Sequence, residues 1–234
     1  MAEPLLQLKE IILPFPEPPP AINLLIHPGE IWLIDGAAKS GKTTLFKVLS
    51  GLIQPRSGTI SLFNTNLRTC SARSLARLRQ RMGILLEGDG LIPSWSIFDN
   101  LALPWRYHDL LPESALQETL TTLLQQFGEE EELLYRVAAT LTIEQRRRMA
   151  LLRAMQNNPQ LILLDNDGVA SYLDRLMPPL LPQIEAQALA LVVRGTPAMA
   201  RFFPKELLRR ATVHAGALHI HALPSYPVIQ PLNQ

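Results

Sequence analysis

The apolar run Ile31-Trp32-Leu33-Ile34 passes through Asp35-Gly36 and then into a helix-like stretch from Thr43 to Leu52. The connection, Gly36-Ala37-Ala38-Lys39-Ser40-Gly41-Lys42-Thr43-Thr44, fits G-x-x-x-x-G-K-[ST] directly after a strand and directly before a helix, the setting that gives this pattern its physical meaning. Gly36 and Gly41 let the backbone turn tightly and expose its N–H groups, and the helix that follows directs its partial positive charge at the same spot. Such a loop cradles nucleotide phosphates. Lys42 is expected to reach the β- and γ-phosphates and Thr43 to hold Mg²⁺.

Bulk properties narrow the setting. With 234 residues, 47% of them hydrophobic, the chain is long enough for one sizeable core or two fused lobes. Lys and Arg number 22 against 21 Asp and Glu, a formal charge of +1, so no global field draws the chain to nucleic acid, and a nucleic-acid partner is not expected. A lone cysteine, Cys70, cannot form an internal disulfide, and the acidic start MAEPLLQLKE does not read as a signal peptide, so a reducing cytoplasm is expected. The longest apolar runs, Leu161 to Leu164 and Ala188 to Val193, are strand-sized and far short of a bilayer span; service at a membrane would be as a peripheral subunit.

Along the chain, PFPEPPP at 14–20 is a stiff connector. Pro55 and Gly58 precede a strand-like Thr59 to Phe63, and a basic helix is expected around Ser74 to Arg81. Residues 110–155 are helical in character, with Leu116, Leu120, Leu123, Leu124 and Phe127 at helical spacing. Leu161-Ile162-Leu163-Leu164 then ends on Asp165, as a strand that presents a carboxylate to Mg²⁺ does. Buried strands alternating with helices predict a parallel sheet covered on both faces.

Between the two phosphate-site elements runs Leu141-Thr142-Ile143-Glu144-Gln145-Arg146-Arg147-Arg148-Met149-Ala150-Leu151-Leu152-Arg153-Ala154, followed by Asn158-Pro159. This resembles the signature segment of ABC transporter ATPases, LSGGQ-x-x-R-x-A-x-x-R-A, and its x-P-x-L-L-L-L-D continuation. Pro28-Gly29-Glu30, Gly51-Leu52, Ser57-Gly58-Thr59-Ile60, Leu91-Ile92-Pro93 and Asn100-Leu101-Ala102-Leu103-Pro104 extend the likeness over roughly residues 5 to 220.

The resemblance implies an α/β P-loop NTPase fold: a RecA-like parallel sheet core, an N-terminal antiparallel β part and an inserted helical subdomain. It implies a single domain over 1–234, with the core lobe at about 1–87 and 158–234 and the helices at about 88–157. It further implies ATP and Mg²⁺ as ligands, with Thr43, Asp165 and Glu87 at the metal. An integral-membrane permease and a second nucleotide-binding domain, the same chain or a different one, are the implied partners, at the cytoplasmic face of the inner membrane. In that head-to-tail pair each ATP lies between one loop and the other chain's signature, here Thr142 and Glu144. Phe15 stands where the family places an aromatic that stacks on adenine; a hydrophobic plug beside the proline segment is its competing role. The run RMGILLEGDGLIPSWSIFDNLALP is similar to ATPases of Mla-type lipid transporters, which adds an MCE-type lipid-binding subunit as a partner, and also to lipoprotein-releasing and cell-division relatives.

Several positions depart from the family pattern. Asn166 replaces the glutamate that follows the strand-end aspartate, and an amide cannot accept a proton from water; losing a general base costs about 10²- to 10⁴-fold in rate. Glu87 replaces the Q-loop glutamine and can still ligate Mg²⁺. Gly195, in Val192-Val193-Arg194-Gly195-Thr196, replaces the switch histidine, leaving no side chain for the γ-phosphate. Ile143 and Glu144 replace two signature glycines, and a carboxylate facing phosphate costs about 4 kcal/mol at about 4 Å and an effective dielectric of about 20.

Ser171-Tyr172-Leu173-Asp174 matches the D-loop in part, and His219 and His221 read as exposed surface. Arg146 to Arg148 read as a solvated helix face plus the family's structural arginine, Arg77, Arg79 and Arg81 as a solvated helix face, and Gly128 to Leu133 as a solvated acidic helix start. The expected function is an ABC-transporter subunit that binds ATP and hydrolyses it weakly or not at all, with a non-catalytic scaffold or regulatory subunit as the alternative.

Overall fold

A computed structural model describes residues 3–15, 17–165 and 168–221. Strands β1 (Leu6–Ile12) and β2 (Ile22–Ile26) precede β3 (Ile31–Asp35), which leads through the phosphate loop to α1 (Lys42–Leu49). Next come β4 (Ser57–Leu62), β5 (Thr65–Asn66), α2 (Ala72–Gln80) and β6 (Met82–Leu85). Three helices follow, α3 (Ile97–Tyr107), α4 (Glu113–Gln126) and α5 (Ile143–Met155). The chain then returns as β7 (Leu161–Leu164), α6 (Leu173–Glu185), β8 (Ala190–Arg194), β9 (Leu208–His214) and β10 (Ala217–Ile220).

Two sheets result. One is antiparallel, in the order β2-β1-β4-β5; the other runs β10-β9-β3-β8-β7-β6, parallel except for β10, which closes one edge against β9. Every residue of β3, β7 and β8 is buried, which explains their unbroken apolar sequence. Because strand side chains alternate, the sheet divides two cores. Ile31, Leu33, Ile162, Leu164, Leu191 and Val193 face the helices α3 to α6, while Trp32, Ile34, Leu161, Leu163, Ala190 and Val192 face α1 and the antiparallel sheet. Each buried aliphatic side chain contributes about 1.5–3 kcal/mol. This two-sided burial holds the ends of β3, β7 and β8 rigidly in line, and the site sits on those ends.

The helices stop where the sequence turns. α1 ends at Leu49 rather than Leu52, because Gly51 takes φ +66°. The helical stretch forecast over 110–155 is split after α4 by Gly128, at φ +65°. α6 forms despite Pro178, Pro179 and Pro182: Leu173, Leu176, Met177, Leu180 and Ile184 make a buried stripe, and Pro178 and Pro182 face solvent, where water can satisfy the freed carbonyls.

Three sequence readings are corrected. Arg146 to Arg148 are anchors rather than a solvated face. Arg146 pairs with Asp89 at 2.9 Å, Arg148 pairs with Glu129 at 2.6 Å, and a Cβ built on Gly168 would come within 2.8 Å of Arg147 Cζ, so Arg147 packs on that glycine. Glu129 is buried rather than solvated; desolvation pushes its carboxyl pKa up, against the pull of Arg148. Arg79 donates to the carbonyl of Gly51 at 2.7 Å, tying α2 to the end of α1.

Candidate functional site

The loop after β3 is shaped by two glycines that no other residue could replace without strain. Gly36 has φ +146°, and a Cβ there would lie 2.8 Å from Ser40 Oγ. Gly41, at φ +109°, is the N-cap of α1, and a Cβ there would meet the Phe15 ring at 2.9 Å. Lys42 Nζ donates to the carbonyls of Gly36 at 2.5 Å and Ala37 at 2.6 Å, which holds the ammonium across the loop mouth. The loop opens on a cleft of about 640 Å³ lined by Gly36, Ala38, Lys39, Ser40, Gly41, Lys42, Thr43 and Thr44, with Phe15, Glu87, Arg194, Gly195 and Met199 around it. That volume suits a nucleotide. The glycine geometry, the helix start and the lysine together fit phosphate oxygens. Phe15 also lines the cleft, its ring packed over Gly41 and Gly216.

The carboxylate of Asp165 is fully buried at the end of β7. Its backbone N–H donates to Leu85 O at 2.7 Å, and one carboxylate oxygen, Oδ1, lies 2.9 Å from Nε of Arg194. Arg194 Nη1 also donates to Thr43 Oγ1 at 3.1 Å. One guanidinium therefore spans the two protein oxygens that the sequence assigns to Mg²⁺. A dication about 4 Å from that charge, at an effective dielectric of about 20, meets a repulsion of about 8 kcal/mol, which offsets the attraction of Asp165 at the same distance. With Arg194 so placed, Thr43 and Asp165 are not both open to a divalent metal. Glu87, the third proposed ligand, is exposed at the cleft rim beyond β6.

Gly195 lies in the cleft wall, but the space a side chain would need is taken. A Cβ there would fall 2.8 Å from Met199 Cε and 2.9 Å from Leu33 Cδ1. The switch position is thus filled by the tip of Met199, the far end of a flexible side chain. Asn166 and its neighbour Asp167 lie outside the described residues.

Thr142 and Glu144 are not among the residues lining the cleft. Thr142 caps α5: its Oγ1 accepts from Gln145 N at 3.1 Å, and Gln145 Oε1 accepts from Thr142 N at 3.0 Å, a reciprocal pair worth about 1 kcal/mol. Glu144 leans 3.9 Å from Arg148 on its own helix and stays largely exposed, as does Ile143. Tyr172, in the D-loop-like segment, is buried, and burial pushes its hydroxyl pKa up to about 12 against the pull of Arg147 and Arg148.

A family model described as ABC transporter matches residues 20–167, a span that runs from the phosphate loop through α5 to the strand ending at Asp165. The chain belongs to the ABC transporter family. Over 221 residues this ABC-family chain is 29% identical to "Probable ribonucleotide transport ATP-binding protein mkl" of Mycobacterium leprae, covering 89% of this chain and 62% of that protein. Over 148 residues it is 35% identical to "Intermembrane phospholipid transport system ATP-binding protein MlaF" of Haemophilus influenzae, covering 62% of this chain and 54% of that protein. The matches therefore span less than two thirds of either relative. The ATP-binding cassette MJ0796, solved as a dimer in a post-hydrolysis state with ADP and Pi, superposes with a TM-score of 0.79 at 22% identity, over 94% of this chain and all of that one, which shows a shared fold.

Among ABC-family departures, the sequence reading missed Arg194 and Met199. The signal was present: Ala188 to Val193 is apolar throughout and then ends on an arginine that strand pairing aligns with Ile34 of β3. A charge at the end of a wholly buried strand has to find a partner.

Proposed function

We propose that this chain is the ATP-binding subunit of an ABC transporter in which ATP binds at the phosphate loop and is hydrolysed slowly or not at all. The observation that carries this reading is the pairing of an intact loop with a closed switch position: Lys42 spans the loop while Met199 fills the space beside Gly195. Asn166 in place of a general base supports it, as do Ile143 and Glu144 in place of two signature glycines. On this reading the chain sits at the cytoplasmic face of the inner membrane, docked on a permease and paired with a second nucleotide-binding domain. No described helix is long and apolar enough to cross a membrane, which suits a peripheral place.

A phospholipid-like cargo, with an MCE-type lipid-binding subunit in the assembly, is supported by the likeness to MlaF. The two relatives carry different cargoes in their names, in keeping with a cargo chosen by the membrane subunit. A second reading, a scaffold or regulatory subunit without turnover, is favoured by the buried arginine across Thr43 and Asp165.

Phosphate release by the purified chain, alone and with its permease, tests the proposal with Lys42→Ala as control. Turnover of the wild type close to that of Lys42→Ala, together with saturable ATP binding, is the expected result. Robust release that depends on Lys42 overturns it.

A further inference from the structure

We propose that Arg194 is a resident cation that replaces the divalent metal at the phosphate loop, so that a nucleoside di- or triphosphate binds here in its metal-free form. The proposal rests on the nucleotide-binding reading above. It starts from strand register. β7 and β8 are parallel, with Leu164 beside Val193, so the residues that follow, Asp165 and Arg194, emerge side by side on the edge of the cleft. β3 and β8 pair Ile34 with Arg194, which sets the arginine next to the strand that feeds the phosphate loop. The position is built into the sheet.

The chemistry agrees with the position. The Arg194 side chain keeps only 8% of its surface in solvent and that of Asp165 keeps none, so the pair is no solvated surface contact. A guanidinium is planar and always charged, and it presents several N–H donors in a fixed fork that matches carboxylate and phosphate oxygens. Here Nε is directed to Asp165 and Nη1 to Thr43, the two groups that would otherwise ligate metal, and the side chain lines the cleft beside Lys42. It therefore places a positive charge where a metal would stand, 2.9 Å from the carboxylate that a metal would need. With Asp165 paired to Arg194, Glu87 at the rim is the remaining carboxylate among the described residues that line the cleft. Among the described residues no cluster of three or more His, Cys, Asp or Glu offers an alternative metal site.

Fluorescence titration of the full chain with mant-ATP and mant-ADP, in EDTA and in millimolar Mg²⁺, tests this. Wild-type Kd is expected to agree within about threefold between the two buffers, a shift well below the 1.4 kcal/mol that marks tenfold. Arg194→Thr is expected to lose about tenfold or more in EDTA and to recover when Mg²⁺ is added. Arg194→Lys keeps the charge without the fork and is expected to bind in EDTA more tightly than Arg194→Thr. Wild-type binding that Mg²⁺ tightens about tenfold or more overturns the proposal, as does an Arg194→Thr protein that binds equally well in both buffers. Absence of nucleotide binding by the wild type in both buffers overturns the function proposed above, and the metal question is then read from melting without nucleotide. A Tm that Mg²⁺ raises in Arg194→Thr and leaves unchanged in wild type supports the resident cation; an equal response of both proteins, or none in either, contradicts it.

Discussion

Arg194 Nε lies 2.9 Å from Asp165 Oδ1 at a point where the carboxylate has no solvent exposure. A buried pair of this kind is costly to break from one side, because the remaining charge is left without compensation. Arg194→Met is expected to destabilise the fold by about 3–5 kcal/mol in urea unfolding at neutral pH. The double replacement Arg194→Met with Asp165→Leu is expected to recover most of that loss, since it removes both charges. A single substitution that leaves stability unchanged would mean that water reaches Asp165.

The packing of Met199 into the space beside Gly195 makes those two positions interdependent. Gly195→His alone is expected to cost about 1–3 kcal/mol through overpacking. Met199→Ala in the same chain frees that space, so the double variant should be more stable than the sum of the two single losses by about 0.5–3 kcal/mol. Denaturation of the four proteins measures the coupling. Strict additivity would place Met199 elsewhere.

At the start of α3, the Ser96 hydroxyl, and next to it the guanidinium of Arg106, hold the Asp99 carboxyl below the usual aspartate range. A depressed folded-state pKa gives stability that is fully present above the unfolded value and is lost as pH falls through the folded one. The loss therefore lies below about pH 4. Urea midpoints followed into acid should decline more steeply for the wild type than for Asp99→Asn. Parallel curves would show that this cap does not titrate in the transition.

Asn166→Glu restores a general base at the family position, yet the closed switch position and the arginine across Thr43 and Asp165 remain. Phosphate release is expected to rise by less than about tenfold, against the roughly 10²- to 10⁴-fold that a base contributes where the rest of a site is in place. A gain of about 10²-fold or more would show the missing base to be the sole defect.

How much of this was legible beforehand varies with the range of the interaction that decides it. The phosphate loop and β7 follow from local chemistry, and the sequence pattern located them within a few residues, whereas it ran helix through the breaks that Gly51 and Gly128 set. α6 escaped notice because three prolines argue against a helix locally, and only the buried stripe from Leu173 to Ile184 outweighs them. The buried partner of Arg148, Glu129, comes from the turn after α4, so the pairing could not be read locally. Arg194 carried a local signal, the charge that ends an apolar strand, but its partners and the role of Met199 are long-range for the same reason. One meets Thr43 across 151 positions of sequence, and the other fills a void that exists only once Gly195 and Leu33 are brought together. Vacancy at Gly195 could be read from the residue type; that the vacancy is filled could not.

The nucleotide recovered from the protein after a long incubation tests the central claim most directly. Purified chain is held with radiolabelled ATP for hours, separated rapidly from free ligand, and the bound nucleotide is identified by chromatography, with Lys42→Ala as the blank. Retention of loop and lysine without the groups that cleave predicts that the bound label is ATP and is absent from Lys42→Ala. Recovery of the label as ADP in samples withdrawn within the first minute would contradict the account.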